Sequence, residues 1–486
     1  MSHRESPVRF SRGDRRRSAR LGIGGLASVG VLLAGVPAAD AAWVNETVSQ
    51  RLSGWRVTGT AITDGPGGTW VATMRVPGSN RATVLSIHRR DNVTGRWRLV
   101  TSRTLRSSSS WVGGQILIDA SGAAVATGGL SPGGARIAAA VATRRPRGQW
   151  SGERRLTPLQ YGTASRVSVG AGGSFAVGYD IVDPRPQLFL LRGSVMQPGG
   201  GTVTRIAQSR RGSPFDDVKV LAGLRGGATV VAWQGAGGLR VATVNARGRV
   251  MNLARPAGGL KIDQYVLARS ASNEPMMAWK NDYTTAQFGG PQPTVGFALY
   301  RNGTWSSSEI VKPPAPPPLM SDYSYAPGPG VALAQSGQRV LVTWVEPGPA
   351  LEPTPASILP RGLVRVAGAI RAPDGTWTAV ASLGLETSGA AQRRAQAPLN
   401  VTATPSGWAI LATATPSNSD NPDDGGTTFF SQSISSTGEA AASETVVGYR
   451  TFVDEEIVGP LTSRTTGQLM TPIASNGGVK VAVRRD

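Results

Sequence analysis

The 486-residue chain contains no cysteine. That excludes a disulfide framework, thiolate metal sites, a cysteine nucleophile and a lipidated N-terminal cysteine. Stability must come from core burial and sheet hydrogen bonds. Histidine is almost as scarce, with His3 and His88 the two copies. A zinc site in the body of the chain would therefore have one histidine and otherwise carboxylates, and a Ser-His-Asp triad would have to use His88. His88 sits in the strand-like run 85–90, and no serine occupies a nucleophile-elbow context, so a surface-strand histidine is expected there. Charged residues make up only 17 %, which argues against a long helical or coiled-coil protein. Beyond residue 41 no apolar run approaches the length of a membrane span.

What is abundant is arginine, glycine and proline. Seven arginines between Arg4 and Arg20 precede the apolar stretch 21–36, and Ala39-Asp40-Ala41 then offers a small-x-small exit. These are the three parts of a signal peptide, so residues 1–41 are expected to be removed and 42–486 to form the folded domain. Formal net charge is +21, and discounting 7 basic and 3 acidic residues of the leader leaves 44 − 27 = +17. Only Lys219, Lys261, Lys280, Lys312 and Lys480 are lysines. A positive surface outside a cell suits anionic partners. The arginines are dispersed, with no basic helix and no aromatic-basic interleaving, so nucleic acid is not expected as a specific partner.

A short apolar strand introduced by a turn recurs eight times, starting at Gly68, Gly122, Gly173, Gly227, Glu274, Gly337, Gly407 and Gly478. The steps are 54, 51, 54, 47, 63, 70 and 71 residues, which fits four-stranded blades carrying loop insertions. A second landmark, Gly-x-Trp, leads a later strand at Trp97, Trp150, Trp305 and Trp377, with weaker copies at Val203, Val250 and Ala440. Glycine interrupts the β-branched runs too often for helical repeats. The pattern predicts an all-β chain folded as a single β-propeller of about eight four-stranded blades, or seven if one weak copy is a loop. The last unit ends soon after its Gly478 strand, and Trp43 begins an orphan Trp-led strand. An N-terminal strand completing the last blade would close the ring.

Pro373-Asp374-Gly375-Thr376-Trp377 resembles the Ser-x-Asp-x-Gly-x-Thr-Trp turn of sialidase-like propellers, without its first serine. At the level of strand rhythm the chain resembles secreted bacterial β-propeller repeat proteins, distantly sialidase-like. The resemblance implies the fold and leaves activity to the site. Met74-Arg75-Val76-Pro77 is similar to the family's Arg-Ile-Pro element but follows the strand that element should precede. Tyr179, Tyr283, Tyr323 and Tyr325 have no glutamate assigned to them by spacing, and Asp216-Asp217 reads as a solvated strand end.

In a propeller, ligands meet the channel mouth, so the loops after each second strand are the expected site. The candidate ligand-binding residues are Arg75, Asp180, Gln234, Lys280, Asp282, Tyr283 and Glu346. No catalytic residue, metal or cofactor is expected. The reading is an exported, non-catalytic binding or scaffold propeller, secreted or associated with the cell envelope. It would recognise a protein or an anionic envelope polymer or glycan through one loop face. The alternative is a glycan-active enzyme, a sialidase-like hydrolase or a lyase. Trp233, Trp279 and Trp344 end equivalent strands and are expected to pack between blades.

Overall fold

The computed structural model describes residues 43–485 except 51–52, 67, 78–81, 106–109, 132–135, 158–159, 162–165, 171–172, 182–184, 198–199, 210–214, 236, 261, 282–293, 313–329, 351–361, 381–382, 384–393, 417–426, 451–455, 458–461, 464–465 and 476–477. Residues 41–486 form one compact unit. It is an all-β ring of eight antiparallel blades, each built on four strands, some of them split into two pieces. Blade 1 runs outward through Trp55–Thr63, Trp70–Pro77, Thr83–Arg90 and Trp97–Leu105. Blades 2 to 7 repeat that order, and the inner strands of neighbouring blades lie side by side around the channel.

Burial follows the layers. The second strands are buried on both faces, as in Pro275–Asn281, whereas the outer strand Trp97–Leu105 is mostly exposed. Each blade therefore stabilises the ring by packing on its neighbours. Trp70, Met74 and Leu85 of blade 1, for example, share a cluster with Ile116, Ala126 and Ala140 of blade 2. Trp233, Trp279 and Trp344 are buried in these junctions as expected, exposed by 2 %, 2 % and 4 %. The glycines that open the second strands are needed for geometry at two clear positions. Gly122 has φ +83° and lies under the Trp70 ring, where a Cβ would come within 3.1 Å of ring carbons. Gly407 has φ +153°, and its Cβ would sit 2.2 Å from the Ile434 carbonyl oxygen.

Two expectations need correction. Seven of the eight landmark strands are second strands, but Gly478–Arg484 is the third strand of blade 8. The true second strand is Leu469–Ser475, introduced by Gly467 with φ +89°. Only the outer strand of blade 8 is therefore missing from the C-terminal end, and Trp43–Ser49 supplies it, pairing antiparallel with Gly478–Arg484 from Trp43↔Arg484 onward. His88, expected on a surface, is 5 % exposed and turned into the junction between blades 1 and 8. Its alternation partner across the strand pair is Val71, which packs on Met470, Val479 and Val481.

The outer strands are joined from blade to blade by two kinds of clasp. In the first, an arginine ending a third strand and a tryptophan starting the adjacent outer strand share one glutamate of the preceding blade. Arg90 makes 2.7 Å bonds from Nε and Nη2 to both Glu46 oxygens, and Trp97 Nε1 donates to the same carboxylate at 2.8 Å. The arrangement recurs as Arg371 and Trp377 on Glu309, and as Arg484 and Trp43 on Glu444. The closing strand thus carries a tryptophan for one neighbour and a glutamate for the other. In the second kind, an arginine donates to a backbone carbonyl of the next blade. Arg103 reaches Trp150 O at 2.6 Å, Arg154 reaches Gly200 O at 3.1 Å and Arg192 reaches Asn245 O at 2.6 Å.

Candidate functional site

Four inner strands form one wall of the channel: Ser110–Ile118, Arg166–Val169, Asp216–Leu221 and Ile262–Arg269, from blades 2 to 5. A cavity of about 380 Å³ opens on this wall, lined by Gln115, Arg166, Asp217, Lys219 and the aliphatic Val167, Val218, Val220, Val266 and Leu267. That volume accommodates one or two sugar-sized groups. The lining places two cations and one carboxylate over an aliphatic floor.

Backbone distortion sets the lining. The pairing of Asp216–Leu221 with Thr229–Gly235 shifts register between Asp216 and Lys219, a bulge that gives Asp217 a left-handed φ of +44°. A non-glycine residue held there stores strain, and such positions concentrate where function requires a fixed side chain. The bulge brings the Asp217 carboxylate 3.0 Å from Lys219 Nζ. Lys219 Nζ also donates to Tyr265 O and lies 4.2 Å from the centre of the Tyr265 ring. Burial lowers the Lys219 pKa, Asp217 opposes the shift, and Arg166 adds to it. Tyr265 is 1 % exposed; its hydroxyl donates to Ala232 O at 3.0 Å and touches Asp217 O, and burial raises its pKa well above the usual value. Arg166 differs from these tied groups. Among the described residues no carboxylate lies within ion-pairing distance of it.

The residues selected from sequence lie in second strands, not in the loops that follow them. Arg75 is in Trp70–Pro77, Asp180 in Ser174–Ile181, Gln234 in Thr229–Gly235, Lys280 in Pro275–Asn281 and Glu346 in Arg339–Ala350. Arg75 is 9 % exposed on the strand side that faces blade 8, and burial lowers its pKa. Lys280 is 6 % exposed beside Gln264 and Gly330. Asp180 is 7 % exposed at the junction with blade 4, and burial pushes its carboxyl up to about 6, with the Asp216 charge adding to the shift. Gln234 pairs in register with Asp216. Asp282 and Tyr283 lie outside the described residues. The structure thus brings Asp180, Gln234 and Asp216 together beside the cavity, while Arg75 belongs to the closing junction.

Sequence reading missed Arg166, Lys219 and Tyr265. The inner strands are where the signal lay: a polar residue interrupts each of Arg166-Val-Ser-Val, Asp217-Val-Lys219-Val and Asp263-Gln264-Tyr265-Val, which a buried strand would not tolerate without a water-filled channel beside it.

No family model and no curated protein matches the chain. Among solved structures it is similar to an α-L-arabinofuranosidase of Fusarium graminearum, at 12 % identity over 92 % of this chain and 98 % of that one, TM-score 0.36. An ulvan lyase described as a new family of polysaccharide lyase is similar at 12 % identity over 80 % and 95 %, TM-score 0.43. A Hadza microbial sialidase is similar at 12 % identity over 62 % and 66 %, TM-score 0.34. Among the described residues no helix is long and apolar enough to cross a membrane, and no group of three or more histidine, aspartate or glutamate residues could hold a metal ion.

Proposed function

We propose that the chain is exported, loses residues 1–41, and binds an acidic glycan or envelope polymer at the channel mouth without cleaving it. The observation that carries this reading is Arg166, an arginine with no carboxylate within ion-pairing distance among the described residues, on the wall of a cavity of about 380 Å³. A planar guanidinium lining a cavity suits a carboxylate or sulfate held by two hydrogen bonds. Lys219, fixed by Asp217 and Tyr265, adds a second positive group at low conformational cost. Asp180, Gln234 and Lys280 sit at the ends of neighbouring second strands, and Asp282, Tyr283 and Glu346 extend that set along the sequence.

The test is a binding screen of acidic polysaccharides against the purified protein across salt concentration. Saturable binding that survives moderate salt, falls at least tenfold in Arg166→Ala and is partly restored in Arg166→Lys supports the reading. Binding indifferent to Arg166 removes it. A second reading, glycan cleavage, is favoured by the Asp180 carboxyl, pushed up to about 6 by burial and next to a second carboxyl, Asp216, since glycosidic bond cleavage uses a pair of carboxyl groups of which the acid has a raised pKa. New reducing ends that disappear in Asp180→Asn would establish it over simple binding.

A further inference from the structure

The positive charge is distributed around the ring very unevenly. The outer strands and the turns leading into them, in blades 1 to 4, comprise residues 91–105, 145–157, 195–208 and 245–254. They hold 10 basic residues (Arg96, Arg98, Arg103 and seven more) and two acidic ones, Asp91 and Glu153, so 10 − 2 = +8. The corresponding segments of blades 6 to 8, residues 372–380, 436–450, 43–49 and 485–486, hold Arg450 and Arg485 against Asp374, Glu439 and Asp486 once Glu444 and Glu46 are set against their partners Arg484 and Arg90, so 2 − 3 = −1. A compositional taste for arginine would load both arcs alike. Four outer segments instead carry about half of the +17 of residues 42–486.

The clasps sharpen this asymmetry. At the junctions of blades 5 and 6, 7 and 8, and 8 and 1, each clasp arginine is neutralised by a glutamate. At the junctions of blades 1 and 2 and of blades 3 and 4, Arg103 and Arg192 are anchored on carbonyl oxygens instead, which fixes the guanidinium on a neutral anchor. Arg98, Arg155 and Arg205 are exposed on the outer strands, and Arg249 is exposed in the turn that leads into Val250–Ala254. Asp91 is occupied within its own turn by the Val93 and Thr94 amides. Exposed Leu99, Met251 and Leu253 lie between the arginines, at 57 %, 61 % and 58 % exposure.

We infer that the outer edge of blades 1 to 4 is a second binding surface, separate from the channel, for a linear acidic polysaccharide. Four consecutive blades of eight span half the ring, so a flat bilayer meets one or two of them at a time, whereas a flexible chain can follow all four. Fixed guanidinium groups pair with successive carboxylates or sulfates, and the aliphatic side chains between them receive the C–H faces of sugar rings. This surface does not rest on the channel reading.

Labelled heparin, titrated against the full protein from low to high salt, is the probe. One variant combines Arg98→Ser, Arg155→Ser, Arg205→Ser and Arg249→Ser. A control of equal charge change combines Arg225→Ser, Arg240→Ser, Arg339→Ser and Arg485→Ser. The rim variant should bind at least tenfold more weakly, with the slope of log affinity against log salt reduced by about 3, since each lost contact removes roughly 0.7–0.9. The control should change less than threefold. Equal losses in both variants would reduce the effect to net charge and overturn the surface. Anionic phospholipid vesicles competing better than heparin would overturn the polysaccharide in favour of a bilayer. Loss in Arg166→Ala with the rim variant unaffected would move heparin to the channel, leaving the channel reading standing and the rim without a ligand.

Discussion

The two arcs of the ring solve one packing problem with different chemistry. Every blade must hold its outer strand against the next blade, and that strand contributes little burial of its own. Around blade 8 the solution is a partly buried ion pair with an indole donor, with Arg90 and Glu46 side chains only 11 % and 19 % exposed. Around blades 1 to 4 it is an arginine donating to carbonyl oxygens of the next blade. The first is local, directional and self-neutralising. The second, at Arg103 and Arg192, anchors a positive charge on neutral acceptors. The ion-pair clasps on both sides of blade 8 secure the non-covalent closure, where the outer strand comes from the other end of the chain and no hairpin holds it.

The largest effect that follows is at the closure. Glu46→Ala leaves Arg90 largely buried without its carboxylate and Trp97 Nε1 without an acceptor, and should cost about 3 kcal/mol. A urea titration followed by tryptophan fluorescence reads this as a lower midpoint. Glu46→Gln, which keeps an acceptor but not the charge, should fall between. If Glu46→Ala unfolds at the wild-type midpoint, the contrast between the arcs has no energetic content.

Most of this architecture was legible in the sequence. The Gly-led strands and Gly-x-Trp landmarks reported blade number and closure because both mark turns with fixed geometry. The slip in blade 8 arose because Gly467 and Gly478 both precede apolar strands, and the turn signal alone does not distinguish a second from a third strand. The clasps were visible as an arginine six or seven residues before a tryptophan, at Arg90 and Trp97, Arg144 and Trp150, and Arg371 and Trp377. Their glutamates were not, because each belongs to another blade. The channel site was the least legible part. Arg166 and Lys219 are ordinary strand residues until four inner strands are set side by side, and the choice of second-strand ends rested on a general picture of propeller loops. That picture placed Arg75 at the mouth, whereas strand alternation turns it into the junction with blade 8.

The inner junctions of the two arcs should differ in their response to acid. His88, between blades 1 and 8, is held down to about 4 by burial and then by Arg75. Unfolded, it takes up a proton near pH 6.5, so between pH 6.5 and 4 the unfolded state binds more protons and acidification destabilises the fold by up to about 3 kcal/mol. Asp180, between blades 3 and 4, has the opposite sign. Its folded carboxyl keeps a proton to about pH 6, while the unfolded one releases it near 3.8. Stability from Asp180 is thus complete below pH 4 and lost as pH rises through 6, again by up to about 3 kcal/mol. In the wild type the two slopes oppose each other. Asp180→Asn should steepen the loss of thermal stability between pH 6 and 4, and His88→Gln should make the protein more stable at pH 4.5 than at 6.5. Parallel pH profiles for wild type and both variants would refute these assignments.

A smaller effect comes from converting one kind of junction into the other. In blade 2, Arg144 and Trp150 occupy the clasp positions, and among the described residues Arg144 Nε and Trp150 Nε1 have no hydrogen-bond partner. The preceding outer strand has Thr101, opposite Ile87, at the register position that Glu46 holds opposite Val481. Thr101→Glu supplies the missing acceptor and should stabilise the fold by about 1 kcal/mol, read as a higher urea midpoint, with Gln149 moving aside from its present contact with Thr101. A lower midpoint would show that the register equivalence does not extend to the side chains.

The smallest effect separates structure from surface chemistry. Arg103→Ala removes one bond to the Trp150 carbonyl from an exposed side chain and should cost no more than about 1 kcal/mol. Its consequence for heparin should still be measurable as a shallower salt dependence, because one anchored positive charge leaves the strip. Arg90→Ala gives the reverse pattern, a large stability loss, since Glu46 then stays partly buried without its cation, and an unchanged heparin slope. If the stability losses of Arg103→Ala and Arg90→Ala are equal, the carbonyl anchor is as strong as the ion pair. The positive arc would then be explained by packing alone, with no need of a ligand.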